Sequence, residues 1–132
     1  MIEMLVGGLG FDPRNLSPLV LLRDPEEMNF LPIWIGVFEA AAIAMEMQGT
    51  QPPRPMTHDL LKNAVEELGG KIRRVIINDI KEGTFYALVE IEVKDGKILN
   101  LDARPSDAIA LAVRARASIF VSEVVMMQAK LV

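Results

Sequence analysis

Apolar residues cluster over residues 2–11 and again over 17–23, and the intervening DPRNLSP carries Asp, Pro and Asn. Those residue types make turns, so the two runs predict a hairpin-like pair of strands. FLPIWIG, residues 30–36, is rich in β-favouring side chains and predicts a third strand. Pro32 falls near its start, where a missing N–H is tolerated. VFEAAAIAMEMQ, residues 37–48, predicts a helix ended by Gly49. It is apolar nearly all round, so it belongs in a core or at an interface. Glu39, Ile43 and Glu46 share one of its stripes.

QPPRP, residues 51–55, is a stiff linker, after which Thr57 is the expected N-cap of a helix over 58–68. Its apolar stripe, Leu60, Leu61, Ala64, Val65 and Leu68, is expected to face inward, with Lys62, Asn63, Glu66 and Glu67 in water; Gly69 and Gly70 end it. Three strands follow at 71–80, 84–93 and 97–103, joined by KEG and KDG turns. In the middle strand Glu90 and Glu92 alternate with Val89, Ile91 and Val93, which predicts one wet and one buried face. Ser106 is the expected cap of a nearly all-apolar helix over 107–115. SIFV (118–121) predicts a short strand, and Ser122 caps a last short helix containing Met126 and Met127. Consecutive hairpins with interspersed helices predict an α+β fold, a largely antiparallel or mixed sheet with three to four helices packed on it. Two such apolar helices exceed what one sheet face covers, which favours a homo-oligomer.

Composition narrows the class. The chain has 132 residues, which suggests a single domain over 1–132. It is 51% hydrophobic and 24% charged, which is globular and not disordered. Net charge is −4 and the pI about 5.0, which argues against a broad adhesive surface for nucleic acid and leaves room for a local basic site. The absence of cysteine excludes disulfides and thiolate metal sites. The N-terminus has Glu3 where a secretory signal carries positive charge, and no apolar stretch reaches membrane-spanning length, so a cytoplasmic protein without a membrane partner is expected.

Two stretches carry candidate chemistry. In PRPMTHDLL (53–61) two prolines straighten the approach of Arg54, and His58 and Asp59 fall in the first turn of a helix, beside free N–H groups and the positive end of its dipole. DARPSDAIAL (102–111) repeats the device with Arg104, Ser106 and Asp107, and adds Asp102 at a strand end. Helix starts of this kind bind anions. Arginines recognise phosphate, and histidine with carboxylates holds Mg²⁺ or Mn²⁺ or moves protons. The combined set, with Glu39 and Glu46, is the inventory of a phosphodiesterase. The competing reading is architectural: each arginine is locked by an aspartate that fixes a helix start, in a non-catalytic, oligomeric binding or regulatory module. Lys71, Arg73 and Arg74 mark a further, short basic stretch on one strand.

LPIWIGVFEAAAIA, PRPMTHDLL, TFYALVEIEV and DARPSDAIALAVRARASIFV together resemble the bifunctional nuclease (BFN) domain family of bacteria and plants, over about residues 3–124. The resemblance, to a bacterial member, implies a small α+β domain and a nuclease acting on DNA and RNA. Its motif positions here are Arg54, Thr57, His58, Asp59, Arg104, Ser106 and Asp107, with Glu39 in the helix after WIG. On that basis His58, Asp59 and Asp107 are the expected catalytic residues. Arg54, Arg104, Thr57 and Ser106 are expected to bind phosphate. Asp59, Asp107 and Glu39 would hold a divalent metal.

Overall fold

The computed structural model describes residues 1–130. Seven strands form one sheet: β1 (Ile2–Asp12), β2 (Ser17–Arg23), β3 (Phe30–Trp34), β4 (Lys71–Lys81), β5 (Thr84–Glu92), β6 (Ile98–Ala103) and β7 (Ser118–Val121). Four helices pack with it: α1 (Val37–Met47), α2 (Thr57–Glu67), α3 (Pro105–Ala115) and α4 (Glu123–Lys130). The fold is therefore mixed α+β, as the hairpin pattern predicts. The strand order is β3-β2-β1-β7-β4-β5-β6. Two antiparallel meanders, β1–β3 and β4–β6, are joined through β7. β7 runs antiparallel to β1 and parallel to β4, because the chain reaches it from β6 by crossing through α3.

Turn chemistry sets the register of the second meander. Between Lys81 and Thr84 the two linking residues, Glu82 (φ 52°) and Gly83 (φ 80°), both sit at positive φ, as a tight hairpin matched to strand twist requires. The KDG segment winds into one 3₁₀ turn, Lys94–Gly96. β5 buries Ala87, Val89 and Ile91, and β4 buries Ile72, Val75 and Ile77, on the face covered by α3. α3 is the central helix: residues 105, 106 and 108–112 are all buried, and α1 and α2 both pack on it.

Two of the three expected helix caps are displaced. α3 begins at Pro105, and Arg104 is the N-cap with extended backbone (φ −70°, ψ 145°). Proline fits the first helical position and forces the residue before it out of the helical region, so Ser106 falls inside the helix. α2 begins at Thr57 and its N-cap is Met56; the Asp59 carboxylate, not a threonine hydroxyl, takes the Met56 N–H at 2.9 Å. Ser122 does cap α4, accepting the Val125 N–H at 3.2 Å.

Two burial expectations also change. α2 buries His58 and leaves Leu60, Leu61 and Leu68 exposed, because it is the Asp59 side of the helix that α3 grips. α1 buries only Ile43, although it is apolar nearly all round. Among the described residues, no helix is long and apolar enough to cross a membrane.

Candidate active site

The first turns of α1, α2 and α3 open onto one cleft of about 360 Å³. α1 brings Phe38 and Glu39, α2 brings Thr57 and His58, and α3 brings Arg104 and Asp107. The topology explains the convergence. α1 and α2 both pack on α3, whose start is fixed at the end of β6 by the rigid Arg104–Pro105 unit.

Asp107 is the centre of the polar cluster. Its Oδ1 lies 2.9 Å from His58 Nε2, and its Oδ2 accepts the Arg104 Nε–H at 2.9 Å. Arg104 Nη2 adds a second bond to Oδ1 at 3.2 Å, so the guanidinium forks onto the carboxylate. Burial alone would raise the Asp107 carboxyl, but the bonds and charges of Arg104 and His58 outweigh it and hold the group below the ordinary carboxylate range. An ionised Asp107 accepts only, so His58 Nε2 carries the hydrogen and Nδ1 holds the free lone pair when the ring is neutral. The His58 side chain is 11% exposed. Nδ1 has no partner among the described residues, yet no buried side-chain nitrogen or oxygen there lacks one, so Nδ1 touches solvent.

Glu39 stands 3.9 Å from Arg104 Nη2 across the cleft. Its carboxylate folds back over the helix start into the space a side chain at Gly36 would fill. Gly36 has ordinary extended backbone (φ −77°), so its requirement is room and not left-handed geometry.

Asp59 sits in a second arrangement. Arg114 Nε donates to its Oδ1 at 2.8 Å, and the Met56 N–H holds its Oδ2. Arg114 also donates to the carbonyls of Ala110 (2.9 Å) and Ala42 (3.0 Å) and is only 4% exposed, so it ties α1, α2 and α3 together. Burial raises the Asp59 carboxyl, but the Met56 N–H and the Arg114 guanidinium more than reverse it, leaving the group below its ordinary value. Arg114 lies outside the expected set, because in sequence it stands at the end of the apolar run of α3. The available signal was a charge placed within reach of that run, since a buried arginine demands a carboxylate.

The expected set therefore divides. His58, Asp107, Arg104, Thr57 and Glu39 share the cleft. Asp59 and Arg54 line a separate groove with Glu46 and Asn63, and Arg54 makes no hydrogen bond or ion pair among the described residues. Ser106 is buried and lines a third cavity, beside Trp34 and Phe85. Asp102 is exposed on β6, opposite Leu88 of β5. The trio Asp59, Asp107 and Glu39 does not converge, and no group of three or more His, Asp or Glu among the described residues is arranged to hold a metal ion. The short basic stretch is paired across strands, Arg73 with Glu92 (2.6 Å) and Arg74 with Glu90 (2.9 Å).

A mixed seven-stranded sheet carrying a His–Asp–Arg cluster where three helices begin defines an α+β domain with a polar cleft at one end of its helices. The chain belongs to the bifunctional nuclease domain family, whose model matches residues 20–132 and so takes in every residue of the cleft. A Mycobacterium tuberculosis protein described as uncharacterized is 44% identical over 131 residues, 99% of this chain and 77% of its own length. Bifunctional nuclease 2 of Arabidopsis thaliana is 29% identical over 109 residues, 81% of this chain and 33% of the plant protein. Bifunctional nuclease 1 of Oryza sativa subsp. indica is 26% identical over 114 residues, covering 83% and 34%. The chain thus spans about a third of each plant relative.

Proposed function

We propose that this protein hydrolyses phosphodiester bonds of DNA and RNA in the cleft at the start of α1, α2 and α3. The observation that carries the reading is the 2.9 Å contact of His58 with Asp107, itself gripped by Arg104, beside an open cleft. Asp107 fixes the imidazole and leaves Nδ1 as the basic atom. Water attacks phosphorus, its proton passes to Nδ1, and the bond to the leaving oxygen breaks as that oxygen takes the proton back. Arg104 neutralises charge growing on the non-bridging oxygens. A base that activates water, and not a neighbouring 2′-hydroxyl, is indifferent to the sugar, which suits activity on both nucleic acids. Mg²⁺ or Mn²⁺ is expected from the residue inventory, but Asp59, Asp107 and Glu39 do not fit a three-carboxylate site, so no step is routed through an ion.

The test is cleavage of end-labelled single-stranded DNA and RNA, with and without EDTA, by wild type and by folded His58→Ala. Loss of cleavage in the variant supports the reading; undiminished cleavage overturns it.

A second reading is a non-catalytic, homo-oligomeric module. It is favoured by the exposed α2 face, where Leu68 is 85% exposed, and by edge strand β6 with Ile98, Leu99 and Leu101 in water. Light scattering of the purified protein tests the assembly, which is compatible with either function.

A further inference from the structure

The cleft has an apolar half that hydrolysis of a bare phosphodiester does not use. Phe38 lies in the first turn of α1 and is 87% exposed, the most exposed of the large apolar side chains among the described residues. It lines the cleft together with Ala41, Ala42 and Met45, which share its helix face, and with Met56 at the start of α2. The two alanines leave a gap beside the ring and do not fill it. At the polar end of the same cleft stand His58 and Arg104, and the Arg104 Nη1 group makes no hydrogen bond among the described residues. One end thus offers a flat π face with a slot beside it, and the other offers a cation and an imidazole.

We infer that the cleft binds a single unpaired nucleotide, with its base stacked on Phe38 and its phosphate at Arg104 and His58, so that this protein acts on single-stranded nucleic acid with little preference among bases. This inference rests on the phosphodiesterase reading of the cleft and deepens it. Three observations support it. At about 360 Å³ the cleft lies near the lower end of small-ligand pockets, roughly 300–1,000 Å³, which suits one nucleotide and not a base pair. The basic stretch on β4 gives a duplex little grip: net charge is −4, and Arg73 and Arg74 are neutralised by Glu92 and Glu90. The His58 side chain is only 11% exposed, so a phosphate must enter the cleft to reach it. Base recognition then falls to the inside of the cleft, where base–aromatic stacking supplies affinity without reading sequence, since every base has a π face.

The test uses the full chain, Phe38→Ala, Phe38→Trp and His58→Ala, with three probes: a single strand carrying 2-aminopurine, the same sequence as a duplex, and a strand of abasic residues. Stacking predicts that 2-aminopurine fluorescence is quenched on binding by wild type and Phe38→Trp, and not by Phe38→Ala. It predicts that the single strand is cut at least about tenfold faster than the duplex. Phe38→Ala should raise KM about 5- to 100-fold on the normal strand and leave the abasic strand unaffected. Equal cleavage of duplex and single strand overturns the inference, as does an unchanged KM in Phe38→Ala. So does a Phe38→Ala protein that loses quenching only because an oligomer falls apart, seen by light scattering. If quenching follows Phe38 but cleavage ignores His58, the base site stands and the hydrolytic reading fails. If cleavage needs His58 but ignores Phe38, the reading stands and the base site fails.

Discussion

Arg114 Nε donates to Asp59 Oδ1 at 2.8 Å across 55 residues of sequence, and its other nitrogens hold carbonyls of α3 and α1. This bond gives the aspartate after His58 a structural partner at the edge of the cleft, which Arg114 also lines. Removing one partner of a buried pair strands the other charge, a loss of roughly 3–5 kcal/mol. Arg114→Ala is therefore expected to lower Tm by about 10 °C or more in thermal unfolding. Arg114→Lys should recover little, because one ammonium cannot serve the carboxylate and both carbonyls in a planar fork.

Asp59 also gives stability a pH dependence. Its folded value lies below the ordinary one. Its contribution is thus fully present above about pH 3.9, the unfolded value, and is lost as pH falls through the lower folded value. Asp59→Asn should be clearly less stable than wild type at pH 6, and the gap should narrow below about pH 4. A gap that stays constant down to pH 2.5 in a Tm-against-pH series would contradict the assignment.

His58 and Asp107 should behave as one unit. His58→Ala and Asp107→Asn are each expected to lower kcat by roughly 10²–10⁴-fold, and the double variant should be little worse than the worse single variant. Steady-state kinetics on a single-stranded substrate measures this, with circular dichroism establishing that the variants fold.

Gly36 tests the Glu39 geometry. A methyl group there meets the end of the Glu39 side chain, a flexible group, so Gly36→Ala should cost no more than about 1 kcal/mol while displacing the carboxylate from beside Arg104. KM should change by the same factor in Gly36→Ala and Glu39→Ala, and adding the second change to the first should do nothing further. Additive effects would mean that Gly36 matters for another reason.

Among the described residues Arg54 is the motif arginine without a partner, and it is exposed. Arg54→Ala should leave Tm within about a degree of wild type, as surface substitutions do. If Arg54 meets nucleic-acid phosphate, the same change should lower the salt dependence of binding by about one phosphate contact.

The sequence by itself determined the elements, their order and the fold class. The glycine-bearing turns at 82–83 and 94–96, the alternation in β5 and the glycine stops after α1 and α2 are local signals that need no distant partner. It also marked the two stretches that supply polar residues to the cleft, because arginine, proline and aspartate at a helix start are legible from spacing alone. It placed the caps wrongly by one or two residues, at Thr57 and Ser106, where proline and aspartate outcompete a hydroxyl. Only the tertiary structure decided the pairings. Asp59 and Asp107 look equivalent along the chain, yet one is locked to Arg114 and the other faces the cleft with His58. That choice depends on how α2 rolls against α3, which turns His58 inward and leaves Leu60 and Leu68 in water. A buried guanidinium costs too much without its carboxylate, so the Arg114–Asp59 clamp wins over the apolar stripe. Local periodicity cannot register that trade.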